Sequence, residues 1–114
     1  MIIKNISESI KFNQDSFTKR ILYVDKNVLS FVLNFKPGQT LPVHKHENST
    51  VAVNVLSGNG QIKINQEVAD IQAGSFICAE GQDEFSVPLV NEDMTLYICI
   101  SPNPSNEAYS KNLG

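Results

Sequence analysis

Short segments in which apolar and polar residues alternate follow one another between residues 19 and 102. Val51, Val53 and Val55 share one face of an extended segment, and residues 61–65 alternate strictly. Glycine, proline and asparagine separate these segments, and no long run shows helical periodicity. Eight or so short strands at this close spacing predict an antiparallel sandwich or barrel. Because the chain and its strands are short, the pattern favours a small jelly-roll β-barrel, an all-β fold.

The two ends of the chain lack this pattern. Residues 1–18 are mixed and polar, and we interpret them as an N-terminal arm that forms an edge strand or a strand swapped with a partner. Residues 19–102 are the predicted barrel, and residues 103–114 are a C-terminal tail. Within that tail, Ser105 either caps a short helical turn or belongs to a loose end.

Size, composition and charge narrow the class of protein. The 114 residues suffice for one domain with a single core, and hydrophobic residues make up 41% of them. The net charge of -3 and the pI of about 5.2 argue against a basic nucleic-acid-binding face. No apolar run approaches the roughly 20 residues that a membrane span needs, and the N-terminus lacks the long apolar centre of a signal peptide. We therefore expect a cytoplasmic protein with neither a nucleic-acid nor a membrane partner.

The two cysteines, Cys78 and Cys99, lie in apolar stretches and form no Cys-x-x-Cys motif. This spacing excludes a zinc ribbon or a thioredoxin-type site. We expect two reduced, buried thiols, with a disulfide between neighbouring strands as the alternative.

His44 and His46 are the two histidines of the chain. On an extended segment, residues two apart point to the same face. Two imidazoles on one face form half of a metal site or a pair of donors for an acidic ligand, whereas the alternative is an exposed pair without a ligand. Apolar residues of the predicted barrel would complete a ligand-binding cavity, or they are only its core; the candidates for lining it are Val53, Phe85 and Tyr97, with Val51, Val55, Phe31, Leu33 and Phe76 as further barrel residues.

The stretch around the histidines resembles the first motif of the cupin superfamily. Gly38 is followed by five residues, then by His44 and His46 with one residue between them, and Gly58 closes the pattern. Residues 71–79 are similar to the opening of the second cupin motif, and the resemblance extends over residues 28–102. It implies a barrel of six to eight antiparallel strands with the histidines inside its open end.

The sequence departs from the cupin pattern at two ligand positions. The glutamate of the first motif falls on Val51, and the third histidine falls on Glu84 or Phe85, depending on where one gap is placed. The usual set of three histidines and one glutamate is therefore incomplete.

Two histidines and one carboxylate can still form the facial arrangement that holds non-haem iron. His44, His46 and Glu84 are the metal ligands that the resemblance implies, with Asp83, Glu80 and Glu47 as alternatives. Glu47 directly follows His46 and would point to the opposite face of a continuing strand. The acidic residues at 80, 83 and 84 equally fit a solvated loop. A divalent transition metal, namely Fe, Mn, Ni, Cu or Zn, is the candidate cofactor.

We therefore predict a small cupin-like protein that binds a divalent metal, a small organic ligand or both through His44 and His46. If it is an enzyme, the resemblance implies dioxygenase, isomerase or lyase chemistry on a small molecule. The alternatives are a metal-free binding or sensing module that has lost its catalytic ligands, and a purely structural domain. Small cupins resembling this chain often pair through sheet edges, so we expect a homodimer.

Overall fold

The computed structural model describes residues 1–104 and 111–114. Nine β-strands and one 3₁₀ turn, Ile6–Ser9, make up the regular structure of this part of the chain. The strands are β1 (Thr18–Val24), β2 (Leu29–Phe35), β3 (Leu41–His44), β4 (Thr50–Ser57), β5 (Asn59–Ile64), β6 (Glu67–Gln72), β7 (Phe76–Glu80), β8 (Phe85–Val90) and β9 (Met94–Ser101).

The strands form two sheets in which every pairing is antiparallel. One sheet has the order β1-β2-β9-β4-β7, and the other has the order β3-β8-β5-β6. The chain crosses repeatedly between the sheets, as it does in a jelly roll. The predicted all-β antiparallel jelly roll is confirmed.

Alternation along the strands builds the core between the two sheets. Val51, Val53 and Val55 of β4 face inward, and so do the even-numbered residues from Met94 to Ile100 on β9. Side chains of β2 are buried on both faces. Its inner face joins the core, and the arm covers part of its outer face, where Asn34 donates to the carbonyl of Ser9 at 3.0 Å.

The N-terminal arm therefore lies against the outside of the first sheet. Lys4 extends this contact, because its Nζ donates to the carbonyl of Leu22 at 2.6 Å. Residues 1–17 contain the 3₁₀ turn and no strand, and the first strand, β1, begins at Thr18. The exchange of this arm with a partner stays a prediction.

The last four residues are docked rather than loose. Leu113 forms an antiparallel bridge with Lys19, with backbone hydrogen bonds of 2.7 and 3.0 Å in the two directions. Asn112 accepts from the backbone N–H of Ile21 at 2.7 Å, and Arg20 donates to the carbonyl of Gly114 at 2.8 Å. The helical turn considered at Ser105 lies outside the described residues. In the described part of the chain, no helix has the length and apolar character to cross a membrane.

The two cysteines are not on neighbouring strands. Ala52 of β4 pairs with Cys78 on one side and with Cys99 on the other, so a whole strand separates the two thiols. Both are free. Cys78 is exposed and Cys99 is half-buried, and the expectation of two buried thiols is wrong because both residues point to the outer face of the first sheet.

Candidate functional site

A cavity of about 370 Å³ opens between the inner face of the first sheet and strands β3 and β8. Thirteen of the described residues line it: ten of these are apolar, and the other three are Lys19, His44 and His46. The apolar lining consists of Phe17, Phe31, Leu33, Leu41, Pro42, Val43, Phe85, Ile98, Ile100 and Leu113. The arrangement is a largely apolar chamber with a few polar groups, which is typical of a small-molecule site.

The structure brings His44 and His46 together at the wall of this cavity. His44 ends β3, and His46 follows in the loop before β4. The centroids of the two imidazole rings are 4.5 Å apart, and the rings meet edge to face at 81°. Both rings line the cavity, as the i, i+2 spacing on an extended segment predicts.

A backbone hydrogen bond orients the ring of His44. Its Nδ1 lies 2.8 Å from the carbonyl oxygen of Pro42. Because a carbonyl can only accept, Nδ1 carries the proton in this contact. Nε2 is therefore the ring nitrogen that His44 can offer to a ligand.

The loop that carries His46 is held by Gly81. The backbone N–H of His46 donates to the carbonyl of Gly81 at 2.8 Å, and the carbonyl of His46 accepts from Ser49 at 3.1 Å. A Cβ at Gly81 would overlap the carbonyl oxygens of His46 and Ser49. Only a glycine therefore lets the two chain segments approach this closely.

His46 is neutral at physiological pH. It is 5% exposed, and burial lowers its pKa to about 4, with the nearby charges of His44 and Lys19 acting in the same direction. His46 therefore presents an uncharged imidazole to the cavity.

Lys19 is a cavity residue that the sequence pattern did not predict. It pairs with Leu33 across β1 and β2, so it shares the inward face with that core residue. The side chain is 6% exposed, and its Nζ lies 4.4 Å from the centre of the Phe31 ring, within the range of a cation–π interaction. Burial lowers its pKa to about 8. The sequence does contain a signal for this position: Lys19 stands two residues before the partly buried Ile21, and residues two apart on a strand point to the same face.

Phe85, and not Glu84, faces the histidines. Phe85 pairs with His44 across β3 and β8 and is 2% exposed. Its ring centroid is 5.6 Å from that of His44 and 6.4 Å from that of His46. Glu84 is exposed, and its backbone is bound to Asn65 by hydrogen bonds of 2.8 and 3.0 Å. Since successive side chains of a strand point to opposite faces, the inward position belongs to one of the two alone.

The predicted metal ligand set of His44, His46 and Glu84 does not assemble. Among residues 1–104 and 111–114, no three His, Cys, Asp or Glu side chains are placed to hold one metal ion. Glu47 and Glu80 are exposed. The carboxylate of Asp83 instead accepts from the Asn65 side chain at 3.0 Å and from the backbone N–H of Glu80 at 3.1 Å. Asp83 therefore holds the turn after β7 together, and Glu47 and Glu80 lie at the surface.

Two further residues predicted to contact a ligand lie away from the cavity wall. Val53 is buried in the core beside it. Tyr97 lies on the opposite face of β9 from Leu96 and Ile98, and its hydroxyl donates to Ser30 at 3.3 Å. Tyr97 is therefore outside the barrel, because its position in β9 has outward parity.

Comparison with known proteins identifies the family. The model of the Cupin domain matches residues 31–100. A search of curated proteins finds no match. The fold is similar to that of an RmlC-like cupin protein from Desulfovibrio desulfuricans, with 27% identity and a TM-score of 0.81 over 90% of this chain and 98% of the other.

Two more solved structures have the same fold at lower identity. The protein TT1209 from Thermus thermophilus is 23% identical, with a TM-score of 0.83 over 91% of this chain and 100% of the other. Ectoine synthase from P. lautus is 18% identical, with a TM-score of 0.74 over 100% of this chain and 91% of the other. The family match covers more than half of the sequence, and the structural matches cover nearly all of the fold. The chain therefore belongs to the cupin domain family.

Proposed function

We propose that this cupin binds a small organic molecule inside its barrel and that it does so without a metal ion. The apolar part of the ligand lies against the aromatic and aliphatic walls, and its polar group contacts His44 and His46. The observation that carries the proposal is the position of Phe85, whose ring closes the side of the cavity that faces the two imidazoles. The protein is a binding or sensing module on this proposal.

The size of the cavity supports a ligand of modest dimensions. Its volume of about 370 Å³ corresponds to roughly a dozen water molecules at about 30 Å³ each. Molecules of roughly ten non-hydrogen atoms match this space. The walls favour an apolar body, because ten of the thirteen described lining residues are apolar.

The donor set does not fit the metal centre that the cupin resemblance implies. Val51, at the glutamate position, is a buried apolar residue. Of the two candidates for the third position, Glu84 is exposed whereas Phe85 is an apolar residue opposite His44. The two remaining imidazoles bind a divalent ion weakly and exchange it easily when no carboxylate completes the site. For this reason the proposal assigns the histidines to hydrogen bonding with the ligand.

A binding experiment tests the proposal with four neutral or acidic probes that differ in shape. Protein treated with a chelator is titrated calorimetrically with phenylacetamide, hexanamide, phenylacetate and hexanoate, and its melting temperature is measured with each probe. At least one probe is expected to bind and to raise the melting temperature. Leu41→Trp, which fills the cavity, and His44→Ala, which removes a polar contact, should weaken binding, whereas Glu84→Ala should leave it unchanged.

A parallel titration with Fe, Mn, Ni, Cu and Zn ions addresses the metal directly. Weak binding that is lost on dialysis is expected. Tight metal binding that His44→Ala abolishes would overturn the metal-free assignment. Failure of all four organic probes, or equal binding to the cavity-filled variant, would overturn the binding function itself.

A further inference from the structure

We infer that the ligand is an organic monoanion, a small carboxylic acid with an apolar body, and that Lys19 selects its charge. This inference rests on the proposed binding function and names the class of molecule that the same cavity takes. It depends on a residue outside both cupin motifs, at the start of β1. Lys19 is assigned as the residue that determines specificity.

The position of Lys19 supports a role inside the barrel. Its side chain lines the cavity together with the two histidines and is almost completely buried. Long charged side chains usually extend their charged end to solvent, and here the ammonium lies above the ring of Phe31 at the cavity wall. A cation kept within an apolar wall costs stability. Residues retained at such a cost are candidates for function.

The charge balance of the lining supports an anion. Among the thirteen described residues that line the cavity, Lys19 and the histidines are the ionisable side chains, and no aspartate or glutamate is present. An ammonium group carries three N–H donors, so Lys19 can hold a ligand oxygen in addition to the protein groups that it contacts. A ligand carboxylate at this place gains a charge-assisted hydrogen bond in surroundings of low dielectric constant.

The same balance favours a carboxylate over a phosphate. One ammonium matches a single negative charge, and apart from the two imidazoles the other described residues of the wall are apolar. Phosphate recognition typically uses an arginine fork, several cations or a row of backbone N–H groups. A monoanion with an apolar tail therefore complements both parts of the cavity.

Matched acid and amide probes separate the effect of charge from that of shape. The affinities of phenylacetate and phenylacetamide are measured by calorimetry at pH 7 on chelator-treated protein, and hexanoate and hexanamide form a second pair. In the wild type, each acid is expected to bind at least about tenfold more tightly than its amide. Lys19→Met should abolish this preference, because it should weaken the binding of each acid at least about tenfold more than the binding of the matching amide. Lys19→Arg, which keeps the charge, should retain the preference.

Two controls make the result specific. Lys4→Met removes a lysine on the opposite side of the same sheet, where its Nζ contacts the carbonyl of Leu22, and should leave the preference unchanged. Lys19→Gln serves as a second neutral variant if Lys19→Met does not fold, as judged from its melting curve.

The outcomes distinguish the inference from the function on which it rests. Equal binding of acid and amide to the wild type, or an acid preference that survives in Lys19→Met, overturns the inference and leaves the binding function standing. Binding of none of the four probes overturns the binding function.

Discussion

His44 and Phe85 lie directly opposite each other on the paired strands β3 and β8, with their ring centroids 5.6 Å apart. The resemblance to cupins puts the third histidine of the family at Glu84 or Phe85, and Phe85 is the one of the two that faces the imidazoles. A phenyl ring there removes a metal ligand and adds apolar surface to the same wall. Phe85 therefore contributes to the apolar wall of the cavity beside the two histidines.

Phe85→His should restore a three-histidine site. The ring of Phe85, which the new imidazole would replace, has its centroid 5.6 Å from that of His44 and 6.4 Å from that of His46. Four-ligand zinc sites bind with about 10–16 kcal/mol, or roughly 3 kcal/mol per ligand. A third imidazole should therefore raise the affinity for Zn²⁺ by about a hundredfold. Competition with a chromophoric chelator measures this change.

Glu84→His is the matched control, because it adds the same side chain to the neighbouring position. Glu84 points to solvent, so this variant should bind Zn²⁺ no better than the wild type. Phe85→Leu removes the ring without adding a ligand and should also show no gain. A rise in affinity for Glu84→His alone would mean that the faces of β8 are assigned the wrong way round.

Stability should fall in acid because His46 is buried in its neutral form. The unfolded chain takes up this proton near pH 6.5, whereas the folded protein takes it up only near pH 4. Between these values the unfolded state binds more protons, so stability falls as the pH decreases through this window. The loss attributable to His46 should reach at most about 3 kcal/mol.

Urea unfolding of the wild type and of His46→Gln at pH 7, 5.5 and 4.5 isolates this contribution. Other titrating groups are common to both proteins, so their effects cancel in the difference. The variant should be less stable than the wild type at pH 7, and the gap should narrow in acid. A constant difference over the whole range would show that His46 titrates normally in the folded state.

The sequence predicts the fold because the determinants of the fold are periodic. The alternation at Val51, Val53 and Val55 assigns their faces without knowledge of any partner strand. The same periodicity, together with the extended conformation, places His44 and His46 on one wall. These features can be predicted from the sequence because each depends only on neighbours along the chain.

The composition of the cavity depends on pairing between distant segments, which periodicity does not contain. Whether Glu84 or Phe85 occupies the third ligand position depends on where one gap is placed in the comparison with the second cupin motif. The pairing of β8 with β3 also contains a register shift between Leu41 and His44. The sequence shows that Lys19 and Ile21 share a face, but a charged side chain near the start of a strand is usually solvated, and the pairing of β1 with β2 is what places Lys19 in the cavity. The prediction that Tyr97 lines the cavity is wrong for a simpler reason: its neighbours Leu96 and Ile98 point into the core, so Tyr97 points to the outside of the sheet.

Gly81→Ala should disrupt the loop that carries His46. The added methyl group would overlap the backbone oxygens of His46 and Ser49, so the loop has to move and the hydrogen bond from His46 to Gly81 is strained or lost. We expect a loss of about 2–4 kcal/mol in the free energy of unfolding, together with weaker binding of the cavity probes. Chemical denaturation and calorimetry measure the two effects.

Gly74→Ala provides the comparison for this variant. Gly74 has a φ of +94°, and no neighbouring atom lies within 4 Å of the added carbon. The substitution should cost only backbone strain of about 1 kcal/mol and should not affect the cavity. If both variants lose the same stability and both retain binding, close approach at Gly81 does not position His46.

Lys19→Met should make the protein more stable, although it should impair recognition of an acid. The ammonium is buried, and its pKa in the folded protein is about 8, compared with 10.5 for a lysine in water. Replacing it with an apolar side chain of similar length removes a desolvation cost and also the contacts of the ammonium, among them the one with the Phe31 ring. At pH 7 we expect a net gain of about 1–3 kcal/mol in the free energy of unfolding. Chemical denaturation measures this gain.

The pH dependence of that gain identifies its cause. Between pH 8 and 10.5 the unfolded state binds more protons at Lys19 than the folded state does, so wild-type stability should rise with pH in this window. The advantage of Lys19→Met should accordingly shrink from pH 7 to pH 10. A carboxylate ligand stabilises the protonated amine, and its affinity should therefore fall above pH 8, whereas the affinity of the matching amide should not. An advantage of Lys19→Met that is constant with pH would mean that improved packing, rather than removal of a buried charge, stabilises the variant.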